Sequence, residues 1–238
     1  MNAQSANIDA DEVAKFNALA SRWWDAAGEM RFLHRMNPVR MTFIRDRAPL
    51  AGARCLDIGC GGGILSEALA REAAEVTGID LARESLTVAR LHQLESGLTN
   101  LSYREIAAEQ LAVVEPESFD IVTCLELLEH VPDPASIVTA CGQLARAGAH
   151  VFFSTINRNL KAYLLAVLGA EYLLGLLPRG THDFSRFIRP SELDGWARQA
   201  GLVLGDFAGL VLDPASGGFA LGPHVGVNYI VHMRRRSP

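Results

Sequence analysis

Residues 55–63 read CLDIGCGGG, a short apolar run that ends in a stretch where four of the last five residues are glycine. The helical period GGILSEALAREA follows at once. Glycine at a strand-to-helix handover permits a tight turn, close approach of the backbone to a ligand, and amides aimed at a negative or polar group. A merely flexible loop is the alternative, but strand, glycines and helix all point to one structure. The pattern then continues as EVTGID, ARESLTVARLHQLESG, NLSYREI, SFDIVTCL, DPASIVTACGQLARAG and HVFFSTIN. Strand-like runs alternating with helical periods predict βαβ units feeding a parallel sheet.

The flanks extend this core without a linker or an internal repeat. From Ile8 to Trp24, apolar residues recur at three- and four-residue steps and predict an amphipathic helix starting near Asp9 and closed by two tryptophans. Asn37-Pro38 predicts the start of a second helix, with Arg40 in its first turn. Beyond the fifth strand come a greasy stretch, a polar loop PRGTHDFSRF, a helix opened by Pro190-Ser191, and strand-like runs near 202–212 and 226–234. With 238 residues, one α/β domain over 1–238 is expected, capped by helices in 1–50 and carrying an insertion over 157–190.

Charge and cysteine usage narrow the setting. Twenty-two Lys and Arg against 27 Asp and Glu give a net charge of −5, which offers no field for a polyphosphate, so nucleic acid is not an expected partner. Cys55, Cys60, Cys124 and Cys141 form no CxxC pair and suggest reduced thiols in a cytoplasmic protein. The N-terminus has neither the basic nor the apolar region of a secretory leader.

Spacing separates the cofactors that such a turn could hold. A dinucleotide fingerprint starting at Gly59 would need a small residue at position 64, where the chain has Ile. Asp80 lies 21 residues beyond Gly59, at the end of the predicted second strand, where a carboxylate accepts hydrogen bonds from both hydroxyls of a ribose. Asp57 inside the turn would repel a pyrophosphate and tolerate the amino group and sulfonium of S-adenosylmethionine. The sulfonium cofactor is therefore expected, with a nicotinamide-dependent oxidoreductase as the rival reading.

LDIGCGGG with Asp80, followed by SFDIVTCLELLEHVPDP, resembles the class I S-adenosylmethionine-dependent methyltransferases over about the middle half of the chain. More narrowly, KFNALASRWWD, LHRMNPVR, LDIGCGGGILSEALAR, LELLEHVPDP, FFSTINRN, GAEY and PRGTHDF are similar to the bacterial O-methyltransferases of ubiquinone biosynthesis, nearly end to end. The resemblance implies a Rossmann-like, doubly wound sheet of seven strands, the last antiparallel. It also implies methylation of polyprenylated catechol or demethylubiquinol intermediates at two steps, and contact with other proteins of that pathway. Arg40 is then the partner of the methionyl carboxylate, Gly59 the point of backbone approach with Asp57 and Gly61 in the same turn, Asp80 the ribose acceptor, and Leu125 an apolar contact at the end of the fourth strand. Ala108 and Glu109 fall where adenine is faced in such folds, although Glu109 equally suits a helix surface.

Methyl transfer from a sulfonium is an in-line displacement, so the protein must align a nucleophile and supply its deprotonated form. Glu126, Glu129 and His130 stand at i, i+3 and i+4 and would share one face of a helix starting at the strand's end. That patch suits a divalent cation such as Mg2+, holding two catechol oxygens and favouring the phenolate. Glu129 and His130 are accordingly the candidate catalytic residues. The alternatives are a solvated helix start and His130 acting directly as general base. His182 and Asp183 could also reach the substrate, or simply cap their loop. The region after the fourth strand lacks the Asn/Asp-Pro-Pro-aromatic turn of enzymes that methylate exocyclic nitrogen, so an oxygen nucleophile fits better.

Residues 160–177, LKAYLLAVLGAEYLLGLL, are apolar nearly all round a helical wheel, but Lys161, Glu171 and the marginal length argue against a transmembrane span. A buried helix and an insertion that meets lipid or a prenyl tail are both open, the second assisted by Arg158, Lys161 and Arg179. A catalytically silent, membrane-associated cofactor-binding protein is the remaining rival.

Overall fold

A computed structural model describes residues 7–159, 184–213 and 217–237. The greasy stretch 160–177, His182 and Asp183 lie outside the described residues, as does most of the expected insertion. Among the described residues no helix is long and apolar enough to cross a membrane.

The chain opens with α1 (Ala10–Leu19) and α2 (Arg31–Arg45) and then alternates β1 (Arg54–Ile58), α3 (Ile64–Ala70), β2 (Glu75–Asp80), α4 (Arg83–Ser96), β3 (Leu101–Glu105), α5 (Ala108–Val114), β4 (Phe119–Leu125), α6 (Pro134–Leu144) and β5 (Ala145–Ile156). It ends with α7 (Pro190–Gln199), β6 (Leu202–Leu212), β7 (Phe219–Gly222) and β8 (Asn228–Arg235). One mixed sheet runs β3-β2-β1-β4-β5-β8-β6-β7. Strands β1 to β5 are parallel, and β8 inserts antiparallel between β5 and β6. The reversal of strand order between β1 and β4 places a crevice at the carboxyl ends of the central strands.

Alternation along the strands divides the core between two faces. Leu56, Phe153 and Val231 pack with α5, α6 and α7, whereas their neighbours Cys55, Phe152 and Ile230 pack with α2, α3 and α4. All four cysteines are free and buried, as small apolar side chains.

Three expectations are corrected. The sheet has eight strands: β7 pairs with the end of β6 at the edge, and its four residues, following a Gly-Gly pair, are too short to show an alternating pattern. The second helix starts at Arg31, so Pro38 lies inside it. Burial of Met36, Met41, Phe43 and Ile44 along one stripe offsets the lost backbone bond, and the Asn37 amide donates to the Ile64 carbonyl at 3.2 Å instead of capping. The first helix begins after Asp9 as expected, with the Asp9 side chain accepting from the Asp11 and Glu12 amides, but it ends at Leu19. A single 3-10 turn over Ala20–Arg22 then carries the two tryptophans beyond it.

Candidate active site

The glycine turn joins β1 to α3 and is stitched to the end of β2. The Gly59 and Cys60 amides donate to the Ile79 carbonyl at 2.9 and 3.0 Å, and the Gly61 amide donates to Asp80 Oδ2 at 2.8 Å. Asp80 Oδ1 accepts from the Ala82 amide at 2.8 Å. Burial pushes the Asp80 carboxyl up from its ordinary value, against the pull of those amides. Gly59 and Gly61 have φ of +72° and +52°, which β-carbon-bearing residues rarely adopt.

Asp57 does something other than the sequence suggests. Ser66 Oγ of α3 donates to one of its carboxylate oxygens at 2.6 Å and Thr123 Oγ1 of β4 to the other at 2.8 Å. It therefore ties β1, α3 and β4 together beneath the turn, and burial raises its carboxyl to about 6 despite both hydroxyls.

Arg40 comes from α2 and is 5% exposed. Its Nη2 stands 3.1 Å from Glu126 Oε1, close enough for an ion pair, yet Nε and Nη2 have no aligned hydrogen-bond acceptor. Two orphaned guanidinium donors lining a cleft suit a carboxylate ligand, which would receive both in a fork. Leu125 lines the same cleft at the end of β4.

The segment after β4 is a single 3-10 turn over Leu128–His130, so the helical face expected for Glu126, Glu129 and His130 is absent. Glu126 sits in the left-handed region, with φ of +53°, held by Arg40 and by Ser154 Oγ donating at 2.6 Å. Glu129 is buried and accepts from Thr155 Oγ1 at 2.8 Å. Burial raises its carboxyl, and the neighbouring Glu126 adds to the shift. His130 Nδ1 lies 2.8 Å from Glu12 Oε2. Each of the three is committed to a different protein partner. As these side chains stand, no three His, Cys, Asp or Glu among the described residues are gathered to hold a metal ion, although Glu126, Glu129 and His130 line the same cleft.

Sequence reasoning missed the N-terminal segment as a wall of the site. Asn7 Nδ2 donates to Glu109 Oε1 at 3.0 Å and Asn7 Oδ1 accepts from the Asp133 amide at 2.8 Å, which straps the segment across the sheet end. Glu109 also accepts from Ser136 Oγ at 2.9 Å. Trp23 Nε1 donates to Ser85 Oγ at 3.2 Å, and Trp24 Nε1 donates to the Gly62 carbonyl at 2.9 Å. The paired tryptophans after an amphipathic helix were the available signal, but their destination was not readable.

Together these residues enclose a cleft of about 740 Å³, the size and largely apolar character of small-molecule sites. Arg40, Asp57, Gly59, Gly61, Asp80 and Leu125 line it, as do Glu126, Glu129 and His130, with Leu210, Val211 and Phe219 from the far edge of the sheet.

A family model described as a methyltransferase domain matches residues 31–204. The chain is 58% identical over 232 residues to a ubiquinone biosynthesis O-methyltransferase of Pseudomonas aeruginosa, covering 98% of this chain and all of that protein. It is equally 58% identical to one of Ralstonia nicotianae, over 99% of this chain and 98% of that protein. Among solved structures, a magnesium protoporphyrin IX methyltransferase from Synechocystis is similar with a TM-score of 0.69 at 19% identity, over 93% of this chain and 97% of that one. A SAM dependent methyltransferase from Aquifex aeolicus is similar at 0.64 and 13% identity, over 94% and 98%. At those identities the structures speak for the fold alone.

Proposed function

The chain belongs to the S-adenosylmethionine-dependent methyltransferases, among the ubiquinone biosynthesis O-methyltransferases, and from that premise we propose how its cleft carries the reaction. It is an O-methyltransferase acting on a polyprenylated phenol. Neither the nicotinamide oxidoreductase nor the silent adaptor finds support among relatives named as methyltransferases.

S-adenosylmethionine, when bound, supplies an electrophilic methyl group on a positively charged sulfur. Arg40 would receive the methionyl carboxylate on Nε and Nη2, which have no aligned acceptor within the protein. The glycine turn at Gly59 and Gly61 lets backbone approach the ligand, and Asp80 keeps lone pairs for the ribose hydroxyls while holding the turn through the Gly61 amide. Leu125 packs against the cofactor at the end of β4. With S-adenosylmethionine bound as methyl donor, His130, which lines the cleft, would take the proton of a phenolic hydroxyl seated beside it. Glu129 is buried beside it, and burial favours the protonated form of its carboxyl. The apolar residues Leu210, Val211 and Phe219 receive the ring and the first part of the prenyl tail, a role supported by their place in the cleft lining.

We take the chain as one domain, with residues 1–50 as cap and 157–190 as an insertion after the fifth strand. An isoprenoid tail partitions into lipid, so the apolar stretch 160–177 is proposed to meet the membrane surface. Both O-methylation steps are assigned to this site, since each presents a phenolic hydroxyl beside an oxygen substituent.

The observation that carries the mechanism is the buried Arg40 with two unsatisfied donors in the cleft that Asp80 and His130 also line. Transfer of a labelled methyl group to a short-chain prenylated catechol and to the matching demethylquinol tests it. Activity on both supports the assignment, and activity on neither, with cofactor bound, refutes it.

A further inference from the structure

Phe32, Met36 and Arg40 follow one another at i, i+4 and i+8 along α2, so they form one stripe of that helix, and all three line the cleft. The stripe changes chemistry along its length. It runs from the buried guanidinium of Arg40, through the buried thioether of Met36, to the half-buried ring of Phe32, about 12 Å away along the helix axis. Phe219 of β7 meets Phe32 edge-on, with ring centroids 6.2 Å apart. From this geometry we propose that Phe32, with Phe219 against it, binds the isoprene units nearest the phenol ring and sets the preference of this chain for prenylated over tail-less phenols.

The edge of the sheet supplies the other side of this slot. Phe219 stands opposite Leu212 in the β6–β7 ladder and Leu221 opposite Leu210, and Leu210, Phe219 and Leu221 pack into the same core cluster as Met36. Arg35 Nη1 donates to the Gly217 carbonyl at 3.0 Å, which ties α2 to the chain just ahead of β7 and holds the two rings at their spacing. Aromatic rings offer a broad apolar surface with few torsions to freeze, and the unbranched Met36 adapts to whatever lies between them.

A cleft of about 740 Å³ has room for a cofactor and a ring but not for a long isoprenoid chain as well. The chain must leave through a wall, and an apolar wall is the one that spares it contact with water. Beside Phe32 and Phe219, Leu212 lines the cleft and is still 43% exposed, an apolar rim open to solvent. Ile8 is also exposed at the cleft, but it lies between Asn7 and Asp9, whose side chains bond to Glu109 and Arg186. The α2 stripe thus matches the substrate end to end, polar where the phenol and the methionyl group lie and apolar where the tail departs.

This inference rests on the chain methylating a polyprenylated phenol, and the test separates the two. Methyl transfer is measured for the full chain, Phe32→Ala, Phe32→Leu and Phe219→Ala, with catechols that carry no isoprene unit, one or two, and with cofactor affinity by calorimetry for each. The full chain should favour the two-unit catechol, chiefly through KM. Phe32→Ala should lower that preference, as a ratio of kcat/KM values, by roughly 10- to 100-fold. Phe32→Leu keeps apolar bulk and should restore most of it. Phe219→Ala should lower the preference in the same direction, so the outcome does not hang on one variant. An equal loss on all three catechols, the mark of a structural role, or a preference unchanged within about twofold in both alanine variants, overturns the proposal. If the full chain methylates all three with no preference for a tail, the proposal falls alone. If it methylates none with cofactor bound, the O-methyltransferase reading falls, and this role with it.

Discussion

Trp23 and Gly62 fill each other's space: a β-carbon on Gly62 would stand 2.5 Å from Cγ of the indole. Gly62 has no left-handed backbone to explain it, so the residue is glycine because the N-terminal segment packs onto the turn. Gly62→Ala should cost about 1–3 kcal/mol in urea unfolding by overpacking. Trp23→Leu in the same chain should remove most of that cost, and strict additivity of the two changes would refute the contact.

Asp80 serves the turn and the ligand together. Asp80→Ala frees the Gly61 and Ala82 amides, which should lower stability by roughly 1–2 kcal/mol. It should weaken S-adenosylmethionine binding on the order of 10- to 100-fold. Unchanged affinity by calorimetry would remove Asp80 from the ribose site.

Arg40 is a buried charge with incomplete hydrogen bonding, an arrangement that favours ligand binding over stability. Arg40→Met leaves Glu126 without its cation and should cost the unliganded chain up to about 3 kcal/mol while reducing cofactor affinity at least roughly tenfold. A large loss of stability with affinity intact would instead make Arg40 a structural partner of Glu126.

Glu129 gives a pH dependence of definite sign. Its carboxyl titrates higher in the folded chain than the ordinary 4.5, so between those values the folded state holds more protons and stability falls as pH rises. Glu129→Gln keeps an acceptor for Thr155 and removes the ionisation. It should be nearly neutral at about pH 5 and stabilising by roughly 1–3 kcal/mol at about pH 8. A thermal shift independent of pH would show that burial does not perturb this group.

The sequence by itself determined whatever depends on short spacing. Strand and helix periods, the glycine turn at 59–63 and Asp80 at the end of the next strand are set by local sterics and by hydrophobic alternation, so the sheet and the cofactor crevice could be read from residues alone. The helix after Asp9 was likewise legible, because its cap is built from neighbours. Tertiary structure decided where contacts join distant parts of the chain. Ser66 and Thr123 converge on Asp57 and make this cleft-lining carboxylate a brace as well. Arg40 and Ser154 hold Glu126 in a left-handed conformation, which breaks the helical face that i, i+3, i+4 spacing promised. The docking of α1 and the turn after it, which brings Glu12 to His130 and Trp23 to Gly62, follows from packing an amphipathic segment against α4 and the glycine turn. Its amphipathic pattern says only that one face is buried, and the surface that buries it exists only after the rest of the chain has folded.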